Sequence, residues 1–433
     1  MIVDQFNTTL SGGAAVAAKR LHHALLESGI FSRLFYLQQK NGEKAQDQNC
    51  FSSRTALSSS EHNLFTWSRQ QLQKLKNRTA LRGRQSDREM FSCPEVFPHT
   101  QIDVANLGTD IIQLHWISKL IDYTSFFASI PDDFPIVWTL HDMNPFTGGC
   151  HHADECRQFT SICQHCPQLG QSGLNDLSQR NFETKQQAFY GKNIHIVTPS
   201  HWLENHVRSS ALLGSARSIR TIRHGLDVNL FATRNRAAAR KRFGLSEDQF
   251  VIGFGAASLS NRRKGFEELL QSLALLKNRD RCVGLAMGDG KLPIGSKILP
   301  ALSTTGYLDN AEAVADFYAA LDVFATTSMA ESMGLVIAEA MASGVPVVAF
   351  AVGAIPEIVQ PHRTGLLATL GDCAQFGHHL NWLAERPDAC KQLGREAQEL
   401  AFAEFDQQKQ TDHYIELYEH VTTGLQYQLR VAA

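Results

Sequence analysis

Short apolar runs separated by stretches of helical period organise this chain. In the first half the runs are Ile2-Val3, Leu34 to Leu37, Ile111 to Leu114, Ile136 to Leu140 and Ile194 to Val197, as continuous as strands buried on both faces of a parallel sheet. Between them the spacing turns helical, as from Ala14 to Ser28, where Gly29 stops it. A second series starts at Phe250 to Phe254 and continues through Val283 to Met287, Val323 to Ala325 and Val345 to Phe350. Alternating strands and helices predict a doubly wound α/β fold, and the restart near residue 245 predicts two such domains. The expected division is a Rossmann-like domain over 1–222, a linker over 223–245, a second Rossmann-like domain over 246–405 and a closing segment over 406–433. His224-Gly225-Leu226-Asp227 breaks the period and reads as the hinge, with a cleft expected between the halves. A last helix, from about Thr411 to Leu425, puts Tyr414, Leu417, Tyr418 and Val421 on one face, which can pack back on the first domain.

In open α/β sheets ligands bind beyond the carboxyl ends of the strands, so the residues following each run carry the functional reading. In the first domain these are Ser11-Gly12-Gly13, His115-Trp116, His141-Asp142 and Thr198-Pro199-Ser200. The paired glycines let backbone approach a ligand closely, and several polar strand ends on one rim read as a binding surface. In the second domain SLSNRRKG, Ser258 to Gly265, follows a strand and reads as a diphosphate clamp, Lys264 as point charge and Arg262 or Arg263 as fork. Gly288, Gly290 and Gly306 fall at later strand ends and can shape a base-binding loop.

ESMGLVIAEAMASGVPVVAF, Glu331 to Phe350, is the most informative stretch. Glu331 stands before the turn Ser332-Met333-Gly334, and Glu339 lies within the helix-period run that begins at Leu335. A helix starting near Gly334 offers amides and a positive dipole end to an anion, with carboxylates beside it to accept sugar hydroxyls. Phosphates in the middle and hydroxyl-rich rings on either side describe a nucleotide sugar. The plainer reading of these glutamates is a charge near a helix start and a solvated helix position.

Composition narrows the class. The chain has 433 residues and a formal net charge of −2, so no global field draws nucleic acid. No run of eighteen apolar residues occurs, and MIVDQFNTTL lacks the order of a signal peptide, so the expected location is the cytosol. Between positions 54 and 88, Arg54, Arg69, Lys74, Lys76, Arg78, Arg82, Arg84 and Arg88 alternate with Leu64, Phe65, Trp67, Leu72 and Leu75. Two readings stay open: a basic amphipathic helix on the inner face of an anionic membrane, or a solvated helix packed on its own domain.

Of nine cysteines, Cys150, Cys156, Cys163 and Cys166 fall in one loop with the spacing C-x5-C-x6-C-x2-C. In a reducing compartment this reads first as a structural zinc site, with buried thiols or a redox pair at Cys163 and Cys166 as alternatives.

Taken together, Gly12-Gly13, His141, Pro199-Ser200, Gly225 with Asp227, Lys264-Gly265 and Glu331 with Glu339 resemble the retaining glycosyltransferases of family 4, which have the GT-B fold. The resemblance runs nearly the whole length and is closest to bacterial enzymes of exopolysaccharide, capsule or lipopolysaccharide synthesis. It implies a nucleotide-sugar donor as co-substrate, with Glu339 on the ribose and Glu331 on the transferred sugar. Lys264 is then on the diphosphate, Ser332, Gly334 and Leu335 are around it, Gly12 and Gly13 approach it, and His141 contacts the sugar near the reacting carbon. The implied acceptor is a glycan or a lipid-linked oligosaccharide. One departure stands out: Leu259 occupies the position where many members carry an Arg, so Arg262 or Arg263 has to replace it. No Asp-x-Asp pair follows a convincing strand, so no catalytic divalent metal is expected. Two rival readings are a GT-B epimerase or phosphorylase, and a noncatalytic zinc-stabilised binding module.

Overall fold

The computed structural model describes residues 1–37, 48–59, 64–84, 89–170, 173–290 and 302–431. Arg88 and the side chains of Leu64, Phe65, Trp67 and Arg69, named above in the basic stretch, lie outside the described part. The chain forms two compact units, residues 1–222 together with 410–433, and residues 223–409.

Among the described residues fifteen strands follow in chain order: β1 (Ile2–Asn7), β2 (Phe31–Tyr36), β3 (Cys50–Ser52), β4 (Leu57–Ser59), β5 (Thr100–Ile102), β6 (Ile111–Leu114), β7 (Ile136–Thr139), β8 (Ile194–Thr198), β9 (Ser218–Thr221), β10 (Phe250–Ser258), β11 (Cys282–Asp289), β12 (Leu302–Thr304), β13 (Val323–Thr326), β14 (Val347–Phe350) and β15 (Gly365–Ala368). The first unit is built on a seven-stranded parallel sheet of order β3-β2-β1-β6-β7-β8-β9, with β4 and β5 as a small antiparallel pair. The second carries a six-stranded parallel sheet of order β12-β11-β10-β13-β14-β15. Each order reverses once, between β1 and β6 and between β10 and β13. At such a switch point two neighbouring chain paths leave for opposite faces of the sheet and open a crevice at the carboxyl ends.

The central strands are apolar throughout because helices cover both faces: β6, β7, β8, β13 and β14 are buried at every position. On one face of the first sheet, Tyr123, Phe126, Phe127, Trp138 and Phe189 form an edge-to-face aromatic cluster. On the other, Tyr414, Leu417, Tyr418 and Val421 of the last helix, Gln407–Val431, meet Val3, Leu21, Leu25, Ile111, Val137 and Val197. Their two phenols are satisfied by the sheet: Tyr418 donates to Gln113 at 2.9 Å, and the Tyr414 and Thr139 hydroxyls lie 2.6 Å apart. The segment 223–245 holds two short helices, Val228–Ala232 and Arg236–Arg242, packed within the second unit. There the fully buried Arg240 pairs with Asp322 at 2.7 Å and donates to the carbonyls of Ala320 and Ser246.

Candidate active site

Both motifs singled out in the second unit leave its sheet at the switch point. From β10 the chain passes through Ser258 to Asn261 into a single tight turn, Arg262–Lys264. The Asn261 side chain caps the turn by accepting from the Arg263 amide at 3.0 Å. Gly265 ends it in the left-handed region at φ +71°, and a β-carbon there would sit 1.9 Å from the Thr327 carbonyl oxygen beyond β13. The Thr327 hydroxyl donates to the Gly265 carbonyl at 2.6 Å, and the Met329 amide to the Arg263 carbonyl at 2.7 Å. Glycine is thus required for the two strand ends to touch.

This contact sets the charges. Lys264 Nζ donates to Glu331 Oε2 at 2.7 Å. Arg263 donates to the Ala330 carbonyl at 2.8 Å and stands 3.7 Å from the same carboxylate. Arg262, by contrast, forks onto Glu268 of the following helix, one arm at 2.6 Å and the other shorter still. Of the two arginines, Arg263 is therefore the one that stands beside Glu331, and Arg262 is held by Glu268 as an anchor of the turn. Leu259 is buried in the sheet's core, and its amide donates to Asp289 at 2.7 Å. A cation at that position would have to leave the core.

The helix Leu335–Ala342 begins beyond Gly334, which is left-handed at φ +87°. Its apolar content follows from burial on all sides, and Gly344 at φ +72° ends it. Glu331 is largely buried rather than solvated, with 13% of its side chain exposed. Its backbone is pinned by Ala354, whose amide donates to the Glu331 carbonyl at 3.0 Å. A β-carbon on Gly353 would lie 2.1 Å from that carbonyl oxygen. Glu339 is buried within the helix and accepts from the Tyr318 hydroxyl at 3.0 Å. Gly353, Tyr318 and Glu268 were not found by sequence reading. Gly353 follows a buried strand and was findable as a strand-end glycine, whereas the other two announce nothing in their own segments. The amide of Gly288, near the end of β11, donates to the Gly306 carbonyl at 2.9 Å, joining that strand end to the loop after β12.

In the first unit, Gly12 takes φ +89° and caps the helix Gly13–Glu27 at the end of the loop from β1. That loop is tied to the end of β6, where the Thr8 amide donates to the Trp116 carbonyl at 2.8 Å and the Trp116 amide to Asn7 at 3.1 Å. His141 follows β7, with its Nε2 3.3 Å from His115 Nδ1. His115 Nε2 in turn lies 2.8 Å from Gln5 Oε1, an oxygen that only accepts, so the proton of His115 sits on Nε2. Asp142 accepts from Trp116 Nε1 at 2.9 Å and pairs with His151 at 2.6 Å. Burial drives the Asp142 carboxyl upward, but the His151 charge and hydrogen bond outweigh it and hold the carboxyl below its usual value.

The four clustered cysteines line one small cavity in the loop after His141. All nine cysteines are thiols. Among the described residues no three His, Cys, Asp or Glu side chains stand at metal-holding spacing. In the helix Leu64–Ala80, Leu72 and Leu75 are exposed beside Lys74, Lys76 and Arg78. No helix among the described residues is long and apolar enough to cross a membrane.

Residues 249–386, which include the Lys264 turn and the Glu331 to Glu339 segment, match the family model Glycosyl transferases group 1. The architecture of both units matches solved GT-B structures. The chain has the GT-B fold, and its residues 249–386 are similar to the group 1 glycosyl transferases. A sucrose-phosphate synthase from Thermosynechococcus elongatus superposes with a TM-score of 0.70 at 18% identity, covering 98% of this chain and 99% of that one. Anabaena HepE, solved with UDP and glucose, gives a TM-score of 0.67 at 16% identity over 97% of this chain and 100% of that one. At these identities the likeness concerns fold alone. In sequence, this GT-B chain is 27% identical over 236 residues to the N-acetyl-alpha-D-glucosaminyl L-malate synthase of Bacillus anthracis, covering 52% of this chain and 58% of the relative. The chain spans about half the length of the curated relatives it matches.

Proposed function

We propose that this chain is a retaining glycosyltransferase. It would transfer a sugar from a nucleotide-sugar donor to a hydroxyl of a glycan or lipid-linked glycan in cell-surface polysaccharide synthesis. One observation carries the reading: two cations and a carboxylate, Lys264, Arg263 and Glu331, gathered at the switch point of the second sheet beside the start of the helix Leu335–Ala342.

Lys264 and Glu331 are paired with each other. A diphosphate brings stronger negative charge, so the proposal gives Lys264 and Arg263 to the phosphate oxygens, with the amides around Ser332, Gly334 and Leu335 adding the positive end of the helix. Glu331 then turns to the hydroxyls of the transferred sugar, and Glu339, steadied by Tyr318, accepts from the ribose. In the first unit the proposal gives the sugar-contacting role to His141 and close backbone approach to Gly12 and Gly13. As the bond between the anomeric carbon and the phosphate oxygen breaks, its electron pair goes to the diphosphate, where the cations stabilise the growing charge. The acceptor oxygen bonds to the carbon on the same face, and its proton passes to the departing phosphate.

HepE, a fold neighbour, was crystallised with UDP and glucose, which supports a nucleotide sugar as the donor class. The exposed Leu72 and Leu75 amid Lys74, Lys76 and Arg78 support contact with an anionic membrane surface bearing the acceptor. The direct test is incubation of the purified protein with a panel of nucleotide sugars, scoring release of nucleoside diphosphate, together with thermal shift by nucleoside diphosphates. Release of one diphosphate and a raised melting temperature are expected. Neither effect with any base would end the proposal.

A further inference from the structure

We propose that Cys150, Cys156, Cys163 and Cys166 bind one zinc ion as a four-thiolate structural site in the first unit. The proposal is independent of the donor site. All four side chains, spread over a loop of seventeen residues, reach the wall of a single cavity of about 20 Å³, roofed by Phe91 and Phe159. That volume holds one water-sized sphere and little else.

The loop is built to bring the sulfurs there. A β-carbon on Gly148 would lie 2.3 Å from the Ser178 carbonyl oxygen, and one on Gly149, at φ +143°, 2.3 Å from the Phe91 ring. Only glycines let the chain pass this close and deliver Cys150. The Gly148 amide donates to Cys163 Sγ at 3.1 Å, the kind of second-layer hydrogen bond that steadies a metal-bound thiolate. Behind the loop lies the fully buried Lys185, whose ammonium donates to the carbonyls of Asn144 at 2.5 Å and Thr147 at 2.9 Å. Four thiolates around Zn²⁺ carry a net charge of about −2, and a buried cation nearby offsets part of it.

Ordinary packing accounts poorly for this arrangement, because interiors close gaps between small apolar groups instead of preserving one at the meeting point of four cysteines. The four side chains stand wider apart than a metal-holding cluster, so the proposal requires each cysteine to turn about its single side-chain torsion until its sulfur reaches the Zn–S distance of about 2.3 Å. On binding, four S–H bonds give their protons to solvent and four S–Zn bonds form, with no change of oxidation state. Four protein ligands leave no open position, so the ion holds structure and performs no chemistry. What it holds is His151, which follows Cys150 and bonds both Asp142, at the end of β7, and Ser92.

The test is elemental analysis and zinc-edge X-ray absorption on the full chain, purified without a metal-binding tag or chelator. About one zinc per chain in a shell of four sulfurs near 2.3 Å is expected. The double variant Cys163→Ser, Cys166→Ser should lose it, and Cys282→Ser, which alters a thiol distant in sequence, should keep it. The wild-type measurement decides even if the double variant fails to fold. Three results would each overturn the proposal: a wild-type chain that neither holds nor takes up stoichiometric zinc, a nitrogen- and oxygen-dominated shell, or a mass two daltons low from a disulfide within the loop.

Discussion

Adjacent residues with the same charge took different tasks. Arg262 and Arg263 are indistinguishable in sequence, and what separates them is Glu268, in the first turn of the next helix, which captures the first and leaves the second beside Glu331. On the proposed function, Lys264→Ala should lower kcat by about 10²–10³, the size of effect seen when one donor to a developing negative charge is removed. Arg263→Ala should weaken donor binding and turnover together. Arg262→Ala should act mainly on stability, so donor titrations alongside thermal melts distinguish the two arginines. If all three variants turned over like the parent, the cations would have no part in the chemistry. Gly265→Ala belongs at this scale too. Its β-carbon would meet the Thr327 oxygen at 1.9 Å in a left-handed conformation, so both strand ends must separate. A loss of at least about 2 kcal/mol is expected by chemical denaturation. Glu331 and Lys264 were legible as a pair of motifs because each follows a buried strand. Their 2.7 Å contact was not, since it depends on a strand order that brings β10 next to β13.

The elements legible in the sequence were those buried on both faces. β6, β7, β8, β13 and β14 appear as unbroken apolar runs, whereas β3, β9, β12 and β15 were missed. All four are outermost strands, and each carries at least one position that is not buried, so none of them reads as an unbroken buried run. β8 and β9 also hold a pH-sensitive joint. His195 of β8 lies 2.9 Å from the Ser218 hydroxyl of β9. Burial, then His420, Arg217 and Arg220, push its pKa down to about 4 from 6.5. The folded chain keeps this imidazole neutral while the unfolded chain protonates it below about pH 6.5. Its contribution is therefore complete above that pH and is lost as pH falls from 6.5 towards 4. His195→Gln should show a smaller drop in melting temperature between about pH 7.5 and 5 than the parent, and identical drops would show that another group governs the loss. The helix Leu64–Ala80 makes a different demand. Leu72 and Leu75 are 59% and 57% exposed, one turn apart and flanked by basic residues. Sedimentation with anionic vesicles should fall in Leu72→Ser, Leu75→Ser and collapse at high salt. Equal recovery of parent and variant would leave the helix as a solvated surface.

At the scale of the whole molecule, the first unit is discontinuous in sequence and the second is not. Residues 410–433 belong with 1–222, while 223–409 form an uninterrupted unit. Tyr414, Leu417, Tyr418 and Val421 cover the face presented by Val3, Leu21, Leu25, Ile111, Val137 and Val197. At about 1.5–3 kcal/mol for each large apolar side chain removed from water, their four contacts are worth on the order of 6–12 kcal/mol, comparable to the whole stability of an ordinary domain. Removing the helix would also leave the Gln113 oxygen without the Tyr418 donor. A chain ending at residue 409 should therefore lose the cooperative transition of its first unit while keeping that of the second. Residues 223–409 expressed alone should melt cooperatively and, on the proposed function, be stabilised by nucleoside diphosphate, because Lys264, Arg263, Glu331, Glu339 and Tyr318 all lie inside them. Residues 1–222 alone should aggregate or expose apolar surface to a fluorescent dye, and linking 410–433 to them should restore a folded unit. If 1–222 folded cooperatively without the helix, the final segment would be an accessory. If 223–409 folded yet ignored nucleoside diphosphates, the donor site would need more than the residues gathered at its own switch point.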